Sequence, residues 1–184
     1  MEEIKKDAAD RMDKSIAALK DEFNTLRTGR ASAALFEKIT VDYYGQPTPL
    51  NQTSTISTPE ARLVVIQPWD KSLLGEIEKA IQKSELSVNP NNDGKVIRIN
   101  IPPLTEERRK ELVKVAKNTA EQSRVAIRNI RRDANDELKK KEKSGDLSED
   151  VVKKGMDDIQ EMTDKHIESI NEMLEAKEKE IMEV

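Results

Sequence analysis

PPLTEERRKELVKVAKNTAEQSRVAIRNIRRDANDELKKKEK, residues 102–143, decides how the rest of the chain is read. Two prolines close whatever precedes them, since neither can donate to a helix or a strand ladder. Thr105 then stands at an N-cap position, and Glu106 and Glu107 suit the positive end of a helix. It is not a full capping box, because the third helical position is Arg108. On a wheel of about 100° per residue with Lys110 at zero, Leu112, Ala116, Thr119, Ser123, Ile127, Ile130 and Ala134 fall at roughly 180–260°. Lys114, Lys117, Arg124, Arg128, Arg131 and Arg132 fall within roughly 60° of zero, with Glu121 the one acid among them. The stretch predicts a long amphipathic helix with an apolar seam on one side and a basic stripe on the other.

A helix of that kind cannot bury its seam alone. Two other segments carry the same signal. Residues 2–28 repeat Ile4, Ala8, Met12, Ile16, Leu19, Phe23 and Leu26 at three- and four-residue spacing, and Gly29 stands where a left-handed terminator is expected. Past the Gly145-Asp146 break, Ser148 caps a helix whose seam is Val152, Met156, Ile159, Thr163, Ile167, Ile170, Leu174 and Ile181. Three such stripes predict one three-helix bundle with the intervening chain as an insertion.

The inserted stretch changes period. FEKITVDYYG (36–45) puts Ile39, Val41 and Tyr43 on one strand face. GQPTPL (45–50) reads as a loop broken by Pro47 and Pro49. TSTIST (53–58) and RLVVIQP (62–68) read as strands, and Asp70 as the cap of a helix over about 71–84. NPNNDG (89–94) is a turn cluster, and KVIRINI (95–101) a final strand. Tyr43 and Tyr44 should alternate between core and surface, and Trp69 should pack inside or between domains. The expected class is α+β: residues 1–29 and 104–184 form the elongated bundle, and 30–103 an inserted small β/α domain. Gly29, Arg30 and Ala31 lead out of the bundle, and Pro102, Pro103 and Leu104 lead back. Paired short linkers suit a hinge, although prolines stiffen as readily as they bend.

Composition narrows the chemistry. There is no cysteine, so no disulfide or thiolate metal site can form. No P-loop and no H-E-x-x-H motif is present. The single histidine, His166, sits at a seam edge, where a partly buried structural role outweighs catalysis. We expect no enzyme, no metal and no cofactor. The N-terminus is charged from Glu2 onward and no run could span a bilayer, which points to a cytoplasmic protein without a membrane partner.

The net charge of −4 hides an asymmetry. Residues 105–143 hold 13 Lys+Arg against 8 Asp+Glu, whereas 144–184 hold 5 against 13. An acidic protein can therefore still offer one cationic element to an anionic partner. Guanidinium forks bind phosphate with two hydrogen bonds, and the stripe lacks base-reading aromatics, which favours a folded RNA read by backbone and shape. The plain alternative is a solvated charged face. Another is a helical adaptor whose seams meet a partner protein.

RTGRAS (27–32), YYGQPTPL (43–50), PPLTEERRKELVK (102–114) and AEQSRVAIRNIRRDAND (120–136) together resemble bacterial ribosome recycling factors over essentially the whole chain. The resemblance implies an L-shaped, tRNA-like monomer that binds the post-termination ribosome, chiefly large-subunit rRNA. It implies that elongation factor G spends the GTP while the two factors separate the subunits and release the mRNA. The RNA contacts it implies are Arg109, Arg128 and Arg131, followed by Arg132, Lys117, Arg124, Arg27 and Arg30.

Overall fold

The computed structural model describes residues 1–26, 28–86 and 88–183. Three long helices dominate it: α1 (Glu2–Thr25), α3 (Glu106–Lys143) and α4 (Glu149–Met182). Each buries the stripe its spacing predicts. Ile4, Ala8, Met12, Leu19 and Phe23 are buried on α1, and Leu112, Ala116, Ala120, Ile127, Ile130, Ala134 and Leu138 on α3. On α4 the buried set is Val152, Gly155, Ile159, Thr163, Ile170 and Ile181. Ile16, Met156, Ile167 and Leu174 are only half-buried. Thr119 and Ser123, read as core, are also half-buried, while Ala120 and Leu138 take the inner positions. Gly155 does what no periodicity argument detects. A Cβ there would lie 2.6 Å from Met1 Sδ and 3.2 Å from Leu138 Cδ1, so its missing side chain is the space both fill.

Both caps predicted for the long helices form. Thr105 Oγ1 accepts from the Arg108 N–H at 3.1 Å, and Ser148 Oγ from the Val151 N–H at 3.3 Å. α1 stops at Thr25, short of residue 28, and Gly29 adopts a left-handed φ of +78° beyond the helix end.

The chain divides into two compact units, Met1–Phe23 with Lys110–Met182, and Asn24–Arg109 with Glu183. In the first unit, polar ties cross between helices: Lys5 to Asp158 (3.0 Å), Arg11 to Asp133 (3.1 Å), and His166 Nε2 to Asp13 Oδ1 (2.8 Å). The other ring nitrogen of His166 meets the Met162 carbonyl at 2.7 Å, so the histidine is a half-buried helix tie.

The second unit holds β1 (Thr40–Tyr43), β2 (Gln46–Pro49), β3 (Ser54–Glu60), β4 (Leu63–Pro68), α2 (Leu74–Lys83), β5 (Pro90–Asn92) and β6 (Ile97–Asn100). β1 and β2 form a two-stranded sheet, and the other strands an antiparallel sheet in the order β3-β4-β6-β5. Val64 pairs with Ile99 and Ile66 with Ile97, all four buried. With Phe36, Leu50, Ile77 and Ile81 they form this unit's own core. Asp70 caps a short 3-10 turn ahead of α2 through the Ser72 N–H (3.0 Å).

Four expectations are corrected here. Residues 46–49 are a strand, not a loop: backbone N–H groups alternate sides, so Pro47 and Pro49 share the side away from the partner and the ladder uses Gln46 and Thr48. Pro90–Asn92 is an edge strand beside β6, and the turn is confined to the residues after it. Tyr43 and Tyr44 are both exposed, because the strand ends and positive φ at Tyr44 (50°) and Gly45 (80°) makes the tight hairpin turn. Trp69 is 68% exposed. Pro68 occupies the buried position before it, and the indole N–H donates to Thr55 Oγ1 at 3.1 Å.

Candidate nucleic-acid interface

Helix α3 positions the predicted basic residues, but it does not present them equally. Lys114, Lys117 and Arg132 are exposed. Arg128 and Arg131 are half-buried, and the Arg124 side chain is only 18% exposed. The side of α3 opposite its seam is not uniformly open, because α4 covers the flank on which Arg124 and Arg131 lie. Arg124 Nε donates to Asn171 Oδ1 (2.9 Å), and Arg131 Nη1 to Gln160 Oε1 (3.2 Å). Lys117 Nζ stands 4.0 Å from Glu178.

Glu121, the lone acid of the stripe, lies between two guanidiniums. Its carboxylate accepts from Arg124 Nη1 at 2.9 Å and from Arg128 Nη1 at 3.2 Å. The hydrogen bond from Arg124, then that from Arg128, holds this carboxyl below the ordinary glutamate range. The two arginines are thus fixed side by side while keeping an excess of positive charge.

Arg109 stands apart at the start of the helix, half-buried, with its Nε buried and no hydrogen-bond partner. Arg30 is exposed in the linker. Arg27 lies outside the described residues. The structure therefore gathers Lys117, Arg124, Arg128, Arg131 and Arg132 along α3. Asn171 and Gln160 complete this side from α4. No sequence signal marks them, because a wheel of one helix does not give the register of its neighbour.

The two linkers run side by side. The Ala31 N–H donates to the Ala61 carbonyl (2.7 Å) and the Ile101 N–H to the Arg62 carbonyl (2.8 Å). A Cβ on Gly29 would come within 3.2 Å of Leu104 Cγ. Pro102 and Pro103 are exposed. Among the described residues, no His, Cys, Asp or Glu group is arranged to hold a metal ion, and no helix is long and apolar enough to cross a membrane.

These features define an α+β protein whose helical unit displays a cationic helix held in place by its neighbours. The chain belongs to the ribosome recycling factor family, which comprises translation factors and not enzymes: the family model described as ribosome recycling factor matches residues 19–182. It is 64% identical to the ribosome-recycling factor of Treponema denticola, with 100% of this chain and 99% of that protein covered. It is 60% identical to that of Syntrophomonas wolfei, with both chains fully covered. Among solved structures it superposes on the solution structure of a ribosome recycling factor with a TM-score of 0.81 at 48% identity, covering 100% of this chain and 97% of that one. It also matches the Thermus thermophilus factor, in models of that factor and Escherichia coli elongation factor G bound to the Escherichia coli post-termination complex. There the TM-score is 0.70 and the identity 47%, with 99% and 98% covered.

Proposed function

We propose that this protein binds the post-termination ribosome as a cytoplasmic monomer and, with elongation factor G, separates the subunits. The partner translocase hydrolyses the GTP. Residues 1–29 and 104–184 are the gripping half, and 30–103 the half on which the translocase acts. Arg109, Arg128 and Arg131 meet large-subunit rRNA phosphates, followed by Arg132, Lys117, Arg124, Arg27 and Arg30. Gly29, Arg30 and Ala31 with Pro102, Pro103 and Leu104 are the flexing connections, and no cofactor is needed. One observation carries the reading: α3 sets Arg124, Arg128 and Arg131 in a row, and their hydrogen-bond partners are Glu121 and the neutral amides of Asn171 and Gln160.

A grip on phosphates displaces counterions, so affinity must fall steeply with salt. Arg131→Ala is expected to weaken binding to isolated large subunits and to lower the salt slope by about one. Subunit splitting should fall in parallel. Wild-type affinity and slope in this variant would remove Arg131 from the interface.

A further inference from the structure

Helix α4 is strongly acidic, yet Arg124 and Arg131 of α3 meet carboxamides on it. The two helices run antiparallel in a regular register. Lys117 faces Glu178 and Arg124 faces Asn171, seven residues on in α3 and seven back in α4. The next step of the same register sets Arg131 opposite Asp164. No ion pair forms there. The Arg131 guanidinium instead donates to Gln160 Oε1 (3.2 Å), while Gln160 Nε2 donates to Asp164 Oδ1 (2.9 Å). Asp164 thereby fixes which way the Gln160 amide faces: its NH2 group goes to the acid and its oxygen to the arginine. The amide stands between the two charges.

The difference matters for a phosphate ligand. A carboxylate on Arg131 would offset its charge and would compete with the incoming phosphate, because the guanidinium fork binds either anion through the same two donors. An amide oxygen orients the same guanidinium, limits the ordering cost of binding, and leaves the charge available. We propose that Gln160, seconded by Asn171, is a positioning residue that holds Arg131 and Arg124 ready for RNA phosphates while shielding them from the acids of α4. This rests on the phosphate-grip reading above.

The test exchanges amide for acid without changing shape. Gln160→Glu in the full chain is expected to keep or raise the thermal midpoint, to weaken binding to large ribosomal subunits about tenfold, and to lower the salt slope by about one. Asn171→Asp should act in the same direction through Arg124, and it serves if Gln160→Glu does not fold. The decisive variant is the swap Gln160→Glu with Asp164→Asn, which leaves the charge of α4 unchanged and moves the carboxylate onto Arg131. It should bind as weakly as Gln160→Glu alone. Wild-type binding by the swap would reduce the effect to overall charge and overturn the proposal. If Arg131→Ala binds weakly while Gln160→Glu and Asn171→Asp bind as wild type, the proposal fails and the phosphate grip stands. If Arg131→Ala also binds as wild type, the grip itself is wrong.

Discussion

At the residue scale, two carboxylates report their surroundings through protonation. Glu121 is held below the ordinary glutamate value of 4.5 by Arg124 and then Arg128. A depressed folded pKa gives stability that is complete above the unfolded value and is lost as pH falls through the folded one. The clamp on the two arginines should therefore persist at neutral pH and open only in acid. A carboxyl-carbon NMR titration checks this: the Glu121 midpoint should lie below 4.5, and Arg128→Ala should move it upward. Asp93 goes further, to about 2 from 3.8, because its carboxylate accepts the Val96 and Lys95 N–H groups and then Arg98. The stability that Asp93→Asn removes should be constant above pH 3.8 and shrink as pH falls toward about 2. Thermal unfolding of both proteins across that range measures it. A difference that grows on acidification would mean that the turn does not depend on the ionised form.

At the element scale, the helix ends were legible because capping is local. Thr105 and Ser148 are named by residue type and position, and each side chain accepts the N–H three residues on. Thr105→Ala should cost about 1 kcal/mol and Ser148→Ala a similar amount, read from denaturant midpoints at constant slope. Losses near zero would mean water satisfies those N–H groups equally well. The helical stripes were legible for the same reason, since burial follows spacing. What stayed hidden depends on neighbours. The strand at 46–49 was masked by prolines whose harmless side is set by the pairing register. Trp69 faces outward because Pro68 takes the inner position. Of the candidate interface, sequence supplied the row of basic residues but not their unequal exposure. That inequality comes from α4, whose register against α3 decides that Arg124 is covered and Arg132 is not.

At the scale of the whole molecule, the order of segments shapes how the helical unit assembles. α3 and α4 are joined by a short turn at Ser144–Leu147, so their seam closes a small loop. α1 belongs to the same unit but is separated from α3 by residues 26–105, which lie in the second unit. Closing a longer loop costs more chain entropy, and non-local contacts repay that cost only late in folding. The α3–α4 pair should therefore form in the folding transition state, and α1 should dock after it. Leu138, fully buried on α3 and facing Gly155 of α4, probes the early contact. Met12, fully buried on α1, probes the late one. Truncating either to Ala should cost about 2–5 kcal/mol at equilibrium, so both give usable kinetic ratios. Leu138→Ala should mainly slow refolding, whereas Met12→Ala should leave refolding nearly unchanged and speed unfolding. Stopped-flow refolding and unfolding followed by helical circular dichroism separates the two. Slowed refolding by Met12→Ala with an unaffected rate for Leu138→Ala would mean that the distant helix nucleates the bundle, and that the inserted unit folds first to bring it there.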